Sequence, residues 1–397
     1  MDLAMPTRDQ RQSAGGSSEG LAALSAGLAL RLADEQANDN LILRVLGAQS
    51  RQELAQFVAR AAGDALRDWS GSGGPRVAFT CGVWSDLSCP LKPGFRNAVV
   101  DGAYKGDASS LDFRDDPKGA CWLINAWATR VTDGLIENVL SPESVKPLTR
   151  VVLGSAVYFK GKWDQPFDKG DTENAPFRLL GGAGAVDVPF MRSREPQYIA
   201  VHDGFKVLKL LYKNPKKPAP FFPHRAPLVN PATTRHNSNS ARFSMCIFLP
   251  DTDNGLRSLL DAIGSRPGFL HQHLPCRKVD VRDFRVPRFK LSFHNSVVDV
   301  LKKLGLQLPF DEEAADLSGM TEEPLLVDQV IHTAVIEVNE EGTEAVAANI
   351  FINIPIMARK RPPRVDFVAD HAFAYVIVEE ETGAIVFAGH VLHPSRE

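Results

Sequence analysis

Serines, histidines and carboxylates are plentiful in this chain, but their spacing sets up no familiar reaction. No Gly-x-Ser-x-Gly elbow stands between a strand and a helix, so no activated serine is signalled. There is no His-Glu-x-x-His pair for zinc, no P-loop, and no Gly-x-Gly-x-x-Gly after a strand. His271 and His273 are two apart, which on a helix points them to different faces, and they read as surface histidines rather than metal ligands. The five cysteines, Cys81, Cys89, Cys121, Cys246 and Cys276, are odd in number and lack a Cys-x-x-Cys unit. They read as buried, reduced thiols of a cytosolic or nuclear protein. Catalytic residues, cofactor and metal are therefore all expected to be none.

One stretch does have unusual chemistry. From Val338 to Arg364 the chain passes from a polar turn, Asn339-Glu340-Glu341-Gly342, through small residues Ala345, Ala347 and Ala348. It then runs apolar from Ile350 to Met357 and ends basic and Pro-rich. Small and apolar side chains suit a strand entering a sheet, where a bulky charge is costly. The Pro-rich end suits exposed, extended chain. A segment with both properties reads as a switch, a loop able to become a strand. An ordinary strand followed by a basic linker is the competing reading.

The elements that would position this segment come from periodicity. Leu21 to Ala37, Arg51 to Trp69 and Leu123 to Leu140 carry apolar residues at helical spacing. Val77–Trp84, Lys206–Tyr212, Phe243–Leu249, Val279–Val281 and Val286–Phe293 read as strands. Val151 to Trp163 is nearly all apolar, as in a strand covered on both faces. Leu326 to Val338 is a long extended stretch. Lys213 to Ser240 is basic, Pro-rich and without period, and reads as an inserted surface loop. With 397 residues, 44% of them hydrophobic, the chain can fill a sizeable core. Its 45 basic and 48 acidic residues argue against nucleic acid or a membrane as partner. No apolar run is long enough to cross a bilayer, and the polar Met1–Glu19 lacks a signal peptide's core. The expected compartment is cytoplasmic or nucleocytoplasmic, with an extracellular location left open.

Val338-Asn339-Glu340-Glu341-Gly342-Thr343-Glu344-Ala345 resembles the hinge of serpins in its plant form. Ser155 to Trp163 resembles the family's central-sheet strand with its breach tryptophan. Ile124-Asn125-Ala126-Trp127 resembles the helix lying across that sheet. Leu304-Gly305-Leu306 with Phe310, Asp316 to Met320, Asp366 to His371, and Val386 to Val391 with Pro394 match further family landmarks. The resemblance spans nearly the whole chain.

It implies an α+β serpin fold. That is a large central mixed or antiparallel β-sheet, two further sheets, about eight helices and an exposed reactive-centre loop. A single domain is expected over 20–397, after a flexible 1–19, with the inserted loop at 213–240 and the reactive-centre loop at 339–364. The implied function is inhibition of a serine protease as a suicide substrate. The protease cuts the loop, an acyl-enzyme forms, and the loop enters the central sheet as a new strand. The implied partner is a serine protease, or a papain-like cysteine protease, met by a monomer.

By the same resemblance the hinge is Glu340, Glu341, Gly342, Thr343, Glu344, Ala345, Ala347 and Ala348. Thr343, Ala345 and Ala347 would point into the sheet. The family's spacing from the hinge glycine places the reactive bond at Ile356–Met357, which suits an elastase-like pocket. Trp163 is the breach residue, and Ser155 with His332 form the shutter.

Four features depart from the family pattern. After Asn38-Asp39-Asn40 the chain jumps to Leu41–Ala48, so a strand and a buried helix are missing. Ser155 replaces the shutter asparagine. Ala372 and Ala374 replace a proline and a larger apolar residue. Lys213–Ser240 is inserted. These departures make a non-inhibitory serpin with a binding or storage role the alternative expectation.

Overall fold

The computed structural model describes residues 67–101, 106–132, 134, 137–214, 242–266, 268–303, 305–342 and 364–395. The expected helices at Leu21–Ala37 and Arg51–Trp69 (except its last three residues), the junction at Asn38–Ala48, and most of the Lys213–Ser240 insertion lie outside these residues.

Fifteen strands form among the described residues: β1 Arg76–Asp86, β2 Asp107–Leu111, β3 Val151–Lys160, β4 Glu173–Arg178, β5 Ala185–Arg192, β6 Gln197–His202, β7 Phe205–Leu211, β8 Phe243–Pro250, β9 Lys278–Val279, β10 Val281–Pro287, β11 Phe289–Ser296, β12 Gln329–Val338, β13 Val365–Val368, β14 Phe373–Glu379 and β15 Ile385–Val391. Five α-helices accompany them: α1 Pro93–Val100, α2 Pro117–Val131, α3 Leu256–Ser265, α4 Phe269–Gln272 and α5 Val298–Lys303.

The strands make three sheets, in the orders β11-β12-β3-β1-β2, β13-β10-β5-β4 and β15-β14-β8-β7-β6-β9. The first is mixed. β11 and β12 are antiparallel, β12 and β3 parallel, β3 and β1 antiparallel, β1 and β2 parallel. The continuous apolar run of β3 is explained by its setting, since its residues Val151 to Phe159 are all buried. Leu153, Val157 and Phe159 enter a large core shared with Phe177, Phe190, Met245, Ile247 and Ile377 of the other two sheets. Val152 and Ala156 face the other way, under α2, with Trp84, Ile124, Trp127, Ile331 and Val335. Burying each large side chain contributes roughly 1.5–3 kcal/mol. A third apolar cluster joins α3 and α4 to the outer face of the six-stranded sheet, through Phe205, Phe248, Leu259, Phe269 and Val376, and it includes Ala372 and Ala374.

Two elements and one cysteine differ from the sequence expectation for local reasons. The helix expected at Leu123–Leu140 begins earlier and ends sooner. Asp116 caps it by accepting a hydrogen bond from Gly119 N at 2.9 Å, and Pro117 occupies the first turn, where its missing N–H costs nothing. Beyond Thr132 the chain turns back, and the Asn125 carboxamide oxygen accepts from Val139 N and Leu140 N at 2.9 and 2.8 Å. Val286–Phe293 is two strands, not one. The chain leaves the four-stranded sheet at Pro287 and joins the five-stranded sheet at Phe289, with Arg288 N donating to Pro189 O between them. Finally, four cysteines are buried but Cys276 is exposed. Burial pushes the Cys81 and Cys246 thiols up to about 12, which suits inert core residues.

The two histidines also divide. His271 is exposed and meets Gly383 O, whereas His273 is half-buried, its ring 4.1 Å from that of Phe269.

Candidate functional site: a hinge at the mouth of a parallel seam

β3 and β12 lie side by side and point the same way, His332 opposite Ser155 in their register. Their C-terminal ends therefore emerge together. β12 runs directly into a tight turn, with Asn339 N donating to Gly342 O at 2.9 Å and Gly342 N donating back to Asn339 O at 3.3 Å. Glu340 and Glu341 form the tip. The Asn339 side chain steadies it by accepting from Glu341 N at 3.0 Å, an Asx turn of the kind this residue favours.

Gly342 is bridged antiparallel on both sides, to Asn339 and to Lys162 just beyond β3. Its φ of 141° lies where residues with a side chain are strained. A Cβ there would also sit 2.1 Å from Gly161 O and 2.6 Å from Lys162 Cα. Both obstacles are backbone, so neither can rotate away.

Trp163 fastens the other side of the mouth. Its indole N–H donates to Asn339 O at 2.9 Å and its backbone N–H donates to Glu341 O at 2.9 Å. The ring is buried and stacks on Tyr212 at 4.5 Å. Glu340 and Glu341 are held from the following segment. Phe167 N donates to Glu340 O at 2.8 Å, the Thr172 hydroxyl donates to Glu340 Oε1 at 2.7 Å, and Lys169 pairs with Glu341. Arg288 Nη1 lies 3.7 Å from Glu340 Oε1.

Lower in the seam, Ser155 Oγ and His332 Nδ1 are 2.9 Å apart. On this face Phe293, whose ring is 5.8 Å from that of His332, is 44% exposed. On the opposite face, under α2, the Thr333 hydroxyl is buried without a hydrogen-bond partner among the described residues. Such a group costs about 1–3 kcal/mol, so the closed seam is not optimally satisfied.

Burial pushes the His332 imidazole down from 6.5 to about 4. The folded state thus favours the neutral ring, and the unfolded chain binds a proton first as pH falls. Its contribution is complete above about pH 6.5 and is lost as pH drops towards about 4, in total about 3 kcal/mol. Melting curves should therefore fall more steeply over that interval for the native chain than for His332→Gln. Parallel pH profiles would show that the ring is not the titrating group.

The structure thus brings together Glu340, Glu341, Gly342 and Trp163 at the mouth of the seam, and Ser155 with His332 within it. Thr343, Glu344, Ala345, Ala347, Ala348, Ile356 and Met357 lie outside the described residues. Lys169, Thr172 and Arg288, which hold the hinge, are not singled out by any local pattern. Asn339 sits in the hinge motif, and its turn-forming residue type was the available signal.

The site is thus a parallel seam in a mixed sheet, with the chain leaving its mouth at a backbone-locked glycine. The family described as Serpin (serine protease inhibitor) matches residues 21–394. The rice protein (Oryza sativa subsp. japonica) named Serpin-Z2A is 43% identical over 398 residues, covering 94% of this chain and 90% of its own. The wheat protein (Triticum aestivum) named Serpin-Z1C is 40% identical over 347 residues, covering 86% and 79%. The Arabidopsis structure titled AtSerpin1, Native Stressed Conformation, superposes with a TM-score of 0.81 at 36% identity, covering 96% of this chain and 91% of that one. The chain belongs to the serpin family, the serine protease inhibitors, and has the α+β serpin fold with three sheets.

Proposed function

We propose that this serpin traps a serine protease at Ile356–Met357 and that Gly342 is the pivot about which the cut loop enters the seam. The doubly bridged Gly342 is the observation that carries this reading. A strand continuing from it runs antiparallel to β12, and so also antiparallel to β3. The seam would then become two antiparallel pairs, the slightly more stable arrangement.

The register supports the same reading. Asn339 and Lys162, the two partners of Gly342, differ in sequence number by 177, as do His332 and Ser155. An entering strand therefore meets two neighbours already in step. Continued along the seam, Thr343 falls opposite Val338 and Gly161, Ala345 opposite Ile336 and Phe159, and Ala347 opposite Ala334 and Val157. Asn349 arrives level with His332 and Ser155. Ile336, Phe159 and Val157 face the large shared core, so the side chains beside them must be small. Thr343, Ala345 and Ala347 meet that demand, which supports inhibition over the binding or storage alternative.

Ile356, preceded by Pro355, suits a protease with a small or medium apolar pocket. The five free cysteines fit work in a reducing compartment, and we read the active form as a monomer in the cytoplasm or nucleocytoplasm. The test is incubation with elastase-like, chymotrypsin-like and papain-like proteases, followed by a denaturing gel. The expected result is a covalent adduct with an elastase-like serine protease and a new N-terminus at Met357. Cleavage with no adduct from any of the enzymes would overturn the proposal, and an adduct starting elsewhere would move the bond.

A further inference from the structure

The seam has a second end, at its foot. β3 begins at Val151 and β12 at Gln329, and the residue before β12, Asp328, reaches back to Val151. Asp328 N donates to Val151 O at 3.1 Å. Its side chain also crosses the seam, where one oxygen, Oδ2, accepts from Arg150 N at 2.8 Å and from Val151 N at 2.9 Å. Carboxylate oxygens that accept backbone N–H groups make charge-assisted bonds, roughly twice as strong as those between neutral groups.

Each side of this crossing is tied to its own part of the molecule. Arg150 O accepts from Asp86 N at 2.9 Å, and Arg150 Nη1 lies 3.9 Å from Asp86 Oδ1, at the end of β1. The buried Asp86 carboxylate accepts in turn from Phe113 N at 3.0 Å. On the other side, Val327 N donates to Pro309 O at 2.8 Å. None of these ties runs between β3 and β12, so all of them can survive when the two strands part. The bonds of Asp328 to Arg150 and Val151 cannot. A strand placed between β3 and β12 moves them from about 4.8 Å apart to about 9.6 Å.

The register fixes when those bonds break. Continued from Gly342, an entering strand has Ile350 opposite Ile331 and Gly154, which are themselves partners across the seam. Only at Asn353 does it come level with Asp328 and Val151. The proposed reactive bond follows at Ile356.

We propose that the Asp328 carboxylate latches the foot of the seam and governs whether an entering strand completes its run. This rests on the insertion reading above. The mouth of the seam then sets how a strand starts, and Asp328 sets how it finishes. A strand halted above the latch leaves the acyl-enzyme exposed to water for longer.

The experiment adds synthetic peptides to the intact protein and follows complex formation on a native gel. One peptide copies Thr343–Ile356 and passes the foot, and the other copies Thr343–Ile350 and stops short of it. Asp328→Ala should take up the longer peptide about tenfold faster than the native chain, and the shorter one at the native rate. Asp328→Asn keeps an acceptor oxygen without the charge and should show about a threefold gain. Melting of each variant checks that it is folded, and Asp328→Asn keeps the test alive if Asp328→Ala is not. Melting also gives a second readout. Uncut Asp328→Ala should melt about 5 °C below the uncut native chain, whereas the two loop-cut forms should melt together. Folded variants that take up the longer peptide no faster, that take up both peptides equally faster, or whose cut and uncut forms lose stability alike would overturn the latch. A native chain that takes up neither peptide and melts no higher after its loop is cut would instead remove the insertion reading itself.

Discussion

Cutting the reactive loop with a trace of protease raises the melting temperature of this protein by about 10 °C or more. The estimate follows from the seam between β3 and β12. A loop strand entering there gains ladder bonds on both edges, each with a net value of about 0.5–1.5 kcal/mol. Even about 5 kcal/mol shifts the midpoint by roughly 10–20 °C in a domain of 150–250 residues, and by somewhat less in a larger one. The Thr333 hydroxyl, buried and without a partner among the described residues, lies on this seam, so strand separation there disturbs an imperfect contact. Differential scanning calorimetry before and after nicking reads the shift. A nick confined to the Lys213–Ser240 insertion should leave the midpoint where it was. So should a loop nick in Ala347→Glu, because the carboxylate would have to enter the apolar core. Equal midpoints for intact and loop-nicked native chain would show that no strand is added.

Replacing Gly342 by alanine converts the inhibitor largely into a substrate. The φ of 141° alone places a side chain under strain, and the clash with Gly161 O and Lys162 Cα adds to it. Strain of about 1–3 kcal/mol at the pivot corresponds to roughly tenfold slower entry. Cleavage at the loop depends on the protease and should continue at its native rate. A denaturing gel would therefore show the adduct band falling about tenfold against the band of cut serpin. Gly342→Val should go further, since the β-branched side chain meets the same backbone. Undiminished adduct from either variant would place the pivot elsewhere.

The two strands of the central seam were legible singly, one as a nearly continuous apolar run and the other as a long extended stretch, while the sheet that holds them came from the family resemblance. Val151 to Trp163 and Leu326 to Val338 stand out, and the Glu-Glu-Gly-Thr hinge stands beside the second. What joins them was not legible. Lys169 and Glu341 are separated by 172 positions and Thr172 and Glu340 by 168, and no local period encodes such a contact. Apolar spacing drew α2 too late and too long, because its start is set by the Asp116 cap and Pro117 rather than by an apolar residue. The break at Arg288 hides because apolar residues alternate with polar ones on both sides of it, and only the change of sheet reveals it. His332 was identified with its partner Ser155, but its lowered proton affinity depends on burial that no short motif records.

The parallel run of β3 beside β12 has a bearing on how this protein must be dosed. Under the proposed reading, a copy whose loop fills the gap between them is consumed. No equilibrium constant then describes protection by this molecule. Its capacity is a headcount: the number of intact copies present, divided by the number consumed per protease stopped, sets the largest proteolytic burst that can be absorbed before fresh synthesis is needed.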